Sequence, residues 1–441
     1  MLDARTKDYA ERLSALIRAK TISRNDQTDK TVFYHFHSLL RETFPHIFAA
    51  AEYEDFDGSF LLRWKGGGPE QPILLMNHHD VVEAPGQWEH DPFSGEIADG
   101  KLWGRGTLDT KGGLWAMLQA ADELAAEGFV PRRDIFFLST CDEEWGGAGA
   151  GADRISRALQ ERGIRFSLVL DEGGMILHEP IPGVKGTFAM VGVGEKGCAN
   201  LKFVARSSGG HASTPGKNTP LVRLGRFMAE AEKGKLFQAE LSPAVCAMFT
   251  SLSSSMGGVM KVLLGHAGLF KPLLVRVMPR VSGTANATLK TTVAFTMASG
   301  SEGANVLPQE AWVVGNMRYS HHQGGLASIE AITALARKFD IETVVLESGF
   351  ESPLSDHRSE AFRLVERGVS AVFPGVKTAP YVMTGASDSR FMSRVCGHCL
   401  RFAPFVIDQA QLESIHGLNE NVDLSALAPA VDFYRYIITE A

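Results

Sequence analysis

The sequence predicts an α/β protein built on a largely parallel sheet, with a separate α+β module inserted into it. Three short apolar runs, Ile73 to Met76, Ile135 to Leu138 and Phe166 to Leu170, alternate with helix-like stretches such as Leu114 to Glu127 and Ala152 to Glu161. Short apolar runs between helices mark parallel strands buried on both faces. From about Val193 the texture changes to strand-like alternation, and after Ser348 it changes back. Residues 1–192 and 349–441 are therefore read as one discontinuous domain, and residues 193–348 as the insert.

In chain order, Tyr9, Leu13, Leu16 and Ile17 come first, at i, i+4, i+7 and i+8, and define an amphipathic helix that needs a larger body to pack on. The three apolar runs follow, and each stops at groups that bind metals or move protons: NHHD at 77–80, CDEE at 141–144 and DEGG at 171–174. In open α/β sheets the ligand crevice lies beyond the carboxyl ends of the strands, so these groups should converge although they are far apart in sequence. Within the insert, ANLKFVARS, TTVAFTM, EAWVVGNMRY and ETVVLES read as strands, and Leu326 to Phe339 reads as a helix. The stretch Met256 to Met278 is more apolar than an exposed module requires. It fits core or dimer contact on one reading and a wall for an apolar acyl chain on another. A helix from Leu424 to Ile438 ends the chain, and no repeat, heptad or low-complexity tract interrupts it.

Composition narrows the function classes. At 44% hydrophobic and 22% charged residues, the 441-residue chain is of ordinary globular type. A net charge of −7 offers nucleic acid no basic footprint. No apolar run reaches the ~18 residues of a membrane span, and charges crowd the first twenty positions, so neither a membrane partner nor secretion is expected. Five cysteines are too few, and of the wrong parity, for a disulfide framework, which points to a reducing, cytoplasmic setting. A small-molecule partner remains.

A zinc site without cysteine needs imidazoles and carboxylates, and His78, Asp109, Glu144, Glu172 and His416 supply such a set. Asp109 sits in LWGRGTLDTKGG, whose Gly104, Gly106, Gly112 and Gly113 permit a tight backbone that could aim one carboxylate at two ions. Five ligands favour a pair of metals, which together activate a water and polarise a carbonyl, chemistry suited to amide hydrolysis. Successive side chains leaving a strand end point different ways, so in the doublet one of Glu143 and Glu144 can bind metal while the other takes a proton. Asp80 is placed to fix the tautomer of His78.

These motifs resemble the di-zinc aminoacylases and carboxypeptidases, peptidase family M20, and most closely its carboxypeptidase S-like branch. HHDVV, WEHDPFSG, DGKLWGRGTLDTKGG, TCDEEWGG, LVLDEGG, GGHASTP, NVLPQEAWVVGNMR, GASDSR and IHGLNE occur in the family's order over nearly the whole chain. The resemblance implies a zinc-peptidase fold with a mixed, largely parallel sheet and a lid that also forms a homodimer. It implies two zinc ions, with cobalt or manganese as substitutes, held by His78, Asp109, Glu144, Glu172 and His416, with Asp109 bridging. Glu143 would be the general base that makes a zinc-bound hydroxide, and Asp80 the partner of His78. His211 would steady the oxyanion from the neighbouring subunit, Asn305 and Arg318 would hold the substrate's carboxylate, and Gly385 would lie beside it. The substrate would be an N-acyl amino acid or short peptide with a free carboxylate. Asn77 stands where Gly or Ala is common, Ser387 where Thr is common, and Asp171 could replace Glu172 as ligand.

Two other readings compete. A metal-binding protein of this fold could be catalytically silent, although Glu143 and all five ligands are present. Cys396-Gly-His-Cys399 has redox-active spacing, but CLRFAPF follows as a strand where a thiolate-stabilising helix would be needed. Cys141 is read as a packed small residue, and the histidines at 35, 37, 90, 321 and 322 as uninvolved in catalysis.

Overall fold

The computed structural model describes residues 3–24, 28–146, 149–281, 283–349 and 352–441. Its organising element is a ten-stranded mixed sheet. At the centre, Ile135–Thr140, Ile73–His78, Leu168–Asp171 and Cys399–Arg401 run parallel in that spatial order. Every residue of the first two strands is buried, as expected for strands covered on both faces. An antiparallel hairpin, Ala51–Phe56 with Ser59–Trp64, extends one side, and Thr187–Glu195 joins antiparallel on the other. The sheet is thus α/β, mixed and parallel at its centre.

The helix Ala4–Ile17 begins at Asp3, whose carboxylate accepts from the Thr6 amide, and it buries Tyr9, Leu13, Leu16 and Ile17. It packs against the helices Lys111–Ala126 and Leu427–Glu440. The helix expected from Leu114 starts three residues earlier, at Lys111. Gly112 and Gly113 do not delay it, because they lie where a Cβ would meet the Thr107 carbonyl and the Asn77 amide oxygen. The third apolar run is shorter than expected: Phe166 forms only an isolated bridge to Cys396, and the strand is Leu168–Asp171. The last helix is preceded by a tighter turn over Leu424–Ala426.

A second, antiparallel sheet places its four strands in the order Thr292–Ser299, Glu310–Tyr319, Gly197–Arg206 and Glu342–Ser348. The helices Pro220–Glu232 and Gly325–Arg337 cover one face, burying Leu224, Phe227 and Ile332 against Leu201 and Phe203. The helices between residues 243 and 289 fall within the 193–348 span but pack elsewhere. Val245, Phe249, Leu252, Leu264, Leu274 and Leu289 join the core of the large sheet, and Pro243–Ser253 lies on the strand Lys377–Met383. Within the stretch Met256 to Met278, Met256, Leu264, Ala267 and Leu274 are therefore core residues.

Trp115 is the largest fully buried side chain and meets Tyr9 edge to face at 5.3 Å. Truncating it empties the space between the first helix and the sheet. Trp115→Ala should lower stability by about 3 to 5 kcal/mol, read as a lower urea midpoint at unchanged slope.

Candidate metal centre

The strand ends assemble the site. His78 is the last residue of its strand and faces the crevice. His79, one residue on, takes the opposite side, where Nδ1 meets the Ser139 hydroxyl and the ring lies among Phe33, Phe36 and Phe60. Burial holds His79 neutral, well below the ordinary histidine pKa. Strand alternation thus separates the two neighbouring imidazoles.

The Asp109 carboxylate stands between two imidazoles, with Oδ1 3.0 Å from His78 Nε2 and Oδ2 3.0 Å from His416 Nε2. Glu144 Oε2 lies 3.1 Å from the same His416 nitrogen. Donor atoms of His78, Asp109 and Glu144 all fall within 4.8 Å of one another. Glu172 adds a third carboxyl, which burial and then repulsion from Asp109 and Asp171 raise well above the usual carboxylate range. Burial also raises Glu143 and Glu144. Burial opposes ionisation of Asp109 too, but His416 and His78 hold its pKa below the ordinary value. The His416 imidazole is pushed up to about 10 by Asp109 and Glu144. Four acids crowded around two imidazoles, in space that penalises their charge, form a donor set that fits divalent cations.

The doublet divides as its position on a strand end allows. Glu144 joins His416, whereas no hydrogen bond reaches the Glu143 carboxylate among the described residues. Both backbone amides donate to Asp80, Glu143 N at 3.2 Å and Glu144 N at 3.1 Å. Asp80 also accepts from Ser23 Oγ at 2.6 Å and meets His78 Nδ1 through its backbone oxygen at 3.0 Å and Oδ1 at 3.3 Å. This buried residue therefore sets both the imidazole orientation and the position of the doublet.

Between Asp171 and Glu172 the structure distinguishes clearly. Both Asp171 oxygens are engaged by amides, Oδ1 by Glu172 at 2.9 Å and Oδ2 by Ser389 at 2.8 Å, which leaves Glu172 as the open donor. Asn77, where smaller residues are common, accepts from Thr110 Oγ1 and so anchors the turn after Asp109. Ser387 donates from its amide and hydroxyl to Glu195.

Sequence reasoning missed Glu420 and Arg105. Glu420, fully buried, accepts from the amides of Gly106, Leu108 and Asp109 and from Arg105 Nη1 at 2.7 Å. Arg105 Nη2 in turn donates to the Gly417 carbonyl. One ion pair thereby fixes the loop of Asp109 to the loop of His416, and His416 keeps an uncommon left-handed backbone, φ 59°. Both residues lie inside motifs already singled out, DGKLWGRG and IHGLNE; an acid and a base in two motifs that flank ligands was the available signal.

The remaining candidates lie apart from this cluster. His211 is exposed on a two-residue strand, Gly210–His211, paired with Val306–Leu307, and its Nδ1 accepts from Ser213. Asn305 sits beside it, its carbonyl accepting from the Ala212 amide. Arg318 is half-buried on Glu310–Tyr319 and donates to Asn316. Gly385 lies exposed, with open space where a Cβ would be. No hydrogen bond or ion pair joins His211, Asn305 or Arg318 to the cluster among the described residues. Cys396 and Cys399 are both buried, and burial with the Asp142 charge pushes the Cys141 thiol up to about 12.

The model of peptidase family M20/M25/M40 matches residues 74–440. The chain belongs to this family. It is 33% identical to the human N-fatty-acyl-amino acid synthase/hydrolase PM20D1 over 440 residues, 98% of this chain and 87% of the relative. It is 31% identical to the probable carboxypeptidase S-like 2 of Dictyostelium discoideum, covering 98% and 84%. Its fold matches the M20 metallo-carboxypeptidase Sso-CP2 of Sulfolobus solfataricus with a TM-score of 0.73 at 16% identity, over 99% of both chains. The protein is thus a metal-dependent hydrolase of the M20 family, in keeping with the carboxypeptidase S-like branch.

Glu420→Gln should strand the buried Arg105. The expected cost is about 3 to 5 kcal/mol in stability, together with lower metal occupancy by atomic absorption, because the Asp109 loop loses its anchor. Unchanged occupancy would separate this ion pair from the site.

Proposed function

We propose that the protein cleaves the amide bond of N-acyl amino acids or of short peptides with a free carboxylate, using two zinc ions held by His78, Asp109, Glu144, Glu172 and His416. The observation that carries this reading is the split doublet: Glu144 meets His416, while no hydrogen bond reaches the Glu143 carboxylate among the described residues. Two divalent cations in this crevice would polarise the scissile carbonyl and acidify a water. Glu143 removes the proton from that water and returns it to the leaving amine. Asp80 keeps the His78 ring oriented through both steps. Arg318 and Asn305 hold the substrate carboxylate, His211 donates to the developing oxyanion, and the exposed backbone at Gly385 borders the substrate.

The substrate class is supported by the names of two relatives, an N-fatty-acyl-amino acid synthase/hydrolase and a probable carboxypeptidase. A homodimer through the insert accounts for the separation of His211 from the cluster, since a neighbouring subunit would bring that imidazole to the site. The exposed outer strand Glu342–Ser348, with Val345 and Leu346 uncovered, gives such a pairing an open edge. The five free cysteines agree with a reducing cytoplasm.

A chelator should abolish hydrolysis of an N-acyl amino acid, and zinc or cobalt should restore it. Glu143→Gln should retain metal while kcat falls on the order of 10²-fold or more, whereas Glu144→Gln should lose metal. Identical behaviour of the two variants would sink the division of labour.

Shared sites have a sharper test. Glu143→Ala and His211→Ala, each inactive, are dissociated together and allowed to reassociate. Random pairing makes about half the dimers mixed, and each mixed dimer holds one intact site, so about a quarter of all sites should regain activity. If His211 serves its own chain, no recovery follows.

A further inference from the structure

The helices Gly258–Gly265 and Lys271–Val281 carry a surface that holds none of the residues assigned to the metal centre or the substrate. Phe270, Leu274 and Met278, at i, i+4 and i+8, turn inward onto the large sheet's core. Leu273, Arg276, Val277 and Arg280 lie to one flank of that buried stripe and are exposed. Val259, Met260 and Val262 on the preceding helix, and Leu269 in the connecting turn, are also exposed. Leu269 is 77% exposed and Val259 72%. Single exposed apolar residues are ordinary, but six within nineteen positions are not.

The charge on this segment has one sign. Between residues 241 and 301 there are five Lys or Arg and no Asp or Glu, in a chain whose net charge is −7. Lys261, Arg276 and Arg280 are exposed among the apolar side chains, and Lys271 pairs with Glu240 at 3.1 Å.

We propose that this helix pair docks the protein on an anionic lipid bilayer. The helices lie in the plane of the interface, with Val259, Leu269, Leu273 and Val277 at the acyl boundary and Lys261, Arg276 and Arg280 among the headgroups. No helix among the described residues is long and apolar enough to cross a bilayer. The composition-based expectation of no membrane partner addressed insertion, and a surface-lying helix is a different case. A second copy of the chain suits this face less well. A two-fold contact presses a patch against itself, so its cations would meet cations with no carboxylate to answer them. The acidic remainder of the chain is repelled by the same lipid, which turns this face toward it.

The test is co-sedimentation of the full chain with vesicles of phosphatidylcholine mixed with phosphatidylglycerol, against vesicles of phosphatidylcholine alone. Binding to the mixed vesicles alone, weakening as salt is added, is the expected result. Lys261→Gln and Arg276→Gln should each lower the partition coefficient about fivefold, the equivalent of ~1 kcal/mol per cation at the surface. The double variant Val259→Ser with Leu269→Ser should lose binding while its circular dichroism and melting curve stay unchanged, since both positions are exposed. Absence of wild-type binding, equal binding to both vesicle types, or undiminished binding by the variants overturns the proposal. So does a wild-type dimer that ignores vesicles and that the double serine variant splits into monomers, because the face then belongs to a second copy.

Discussion

Repulsion among carboxylates buried at the strand ends is the constraint on which the rest of this structure depends. Asp109, Glu143, Glu144 and Glu172 share one crevice with Asp80, Asp171 and Glu420 close by, and burial raises the pKa of most of them. The structure answers in two ways. Asp80, Asp171 and Glu420 take backbone amides onto their oxygens, with a hydroxyl added at Asp80 and a guanidinium at Glu420, and become fixed parts of the framework. Asp109 and Glu144 face imidazoles instead, and Glu143 and Glu172 receive no hydrogen bond among the described residues. An acid tied up by amides builds the crevice, and an acid left to imidazoles or to open space is available to a cation or a proton.

That distinction explains how much was legible in the sequence. The ends of three apolar runs named the crevice, because a strand buried on both faces cannot end in NHHD or CDEE without placing those groups somewhere particular. The alternation of a strand could in principle part His78 from His79. The roles of Asp171 and Glu172, by contrast, rest on which carboxyl meets the Ser389 amide, a contact across 218 positions that no local pattern contains. Glu420 and Arg105 were hidden for the same reason: an ion pair joining two loops 315 residues apart reads, in either loop alone, as one more surface charge.

The fold was read best where periodicity was strong. The strands Glu310–Tyr319 and Glu342–Ser348 coincide with the segments read from the sequence. The helices from Pro220 to Leu289 left little trace, because most are short, and the stretch from 241 onward mixes small residues with apolar ones on every side. Proline at the first turn of Pro220–Glu232 and Pro243–Ser253 was the local signal for both starts.

Rigidity is distributed according to these roles. The groups proposed to bind metal sit on the ends of buried strands or on loops locked by Asp80 and Glu420, where an ångström of slack would cost affinity. Of the groups assigned to substrate, His211, Asn305 and Arg318 occupy exposed or half-buried positions on the second sheet and the Gly210–His211 hairpin, which share no hydrogen bond with the cluster among the described residues. For the proposed activity on acyl or peptide substrates, that separation is an advantage. Tight geometry is needed only around the carbonyl being cleaved, and tolerance is needed everywhere else along the substrate. Asp80 and Glu420, the anchors of the charged crevice, take their hydrogen bonds from residues 23, 105–109, 143 and 144, so the crevice holds its shape without a hydrogen bond from the second sheet among the described residues.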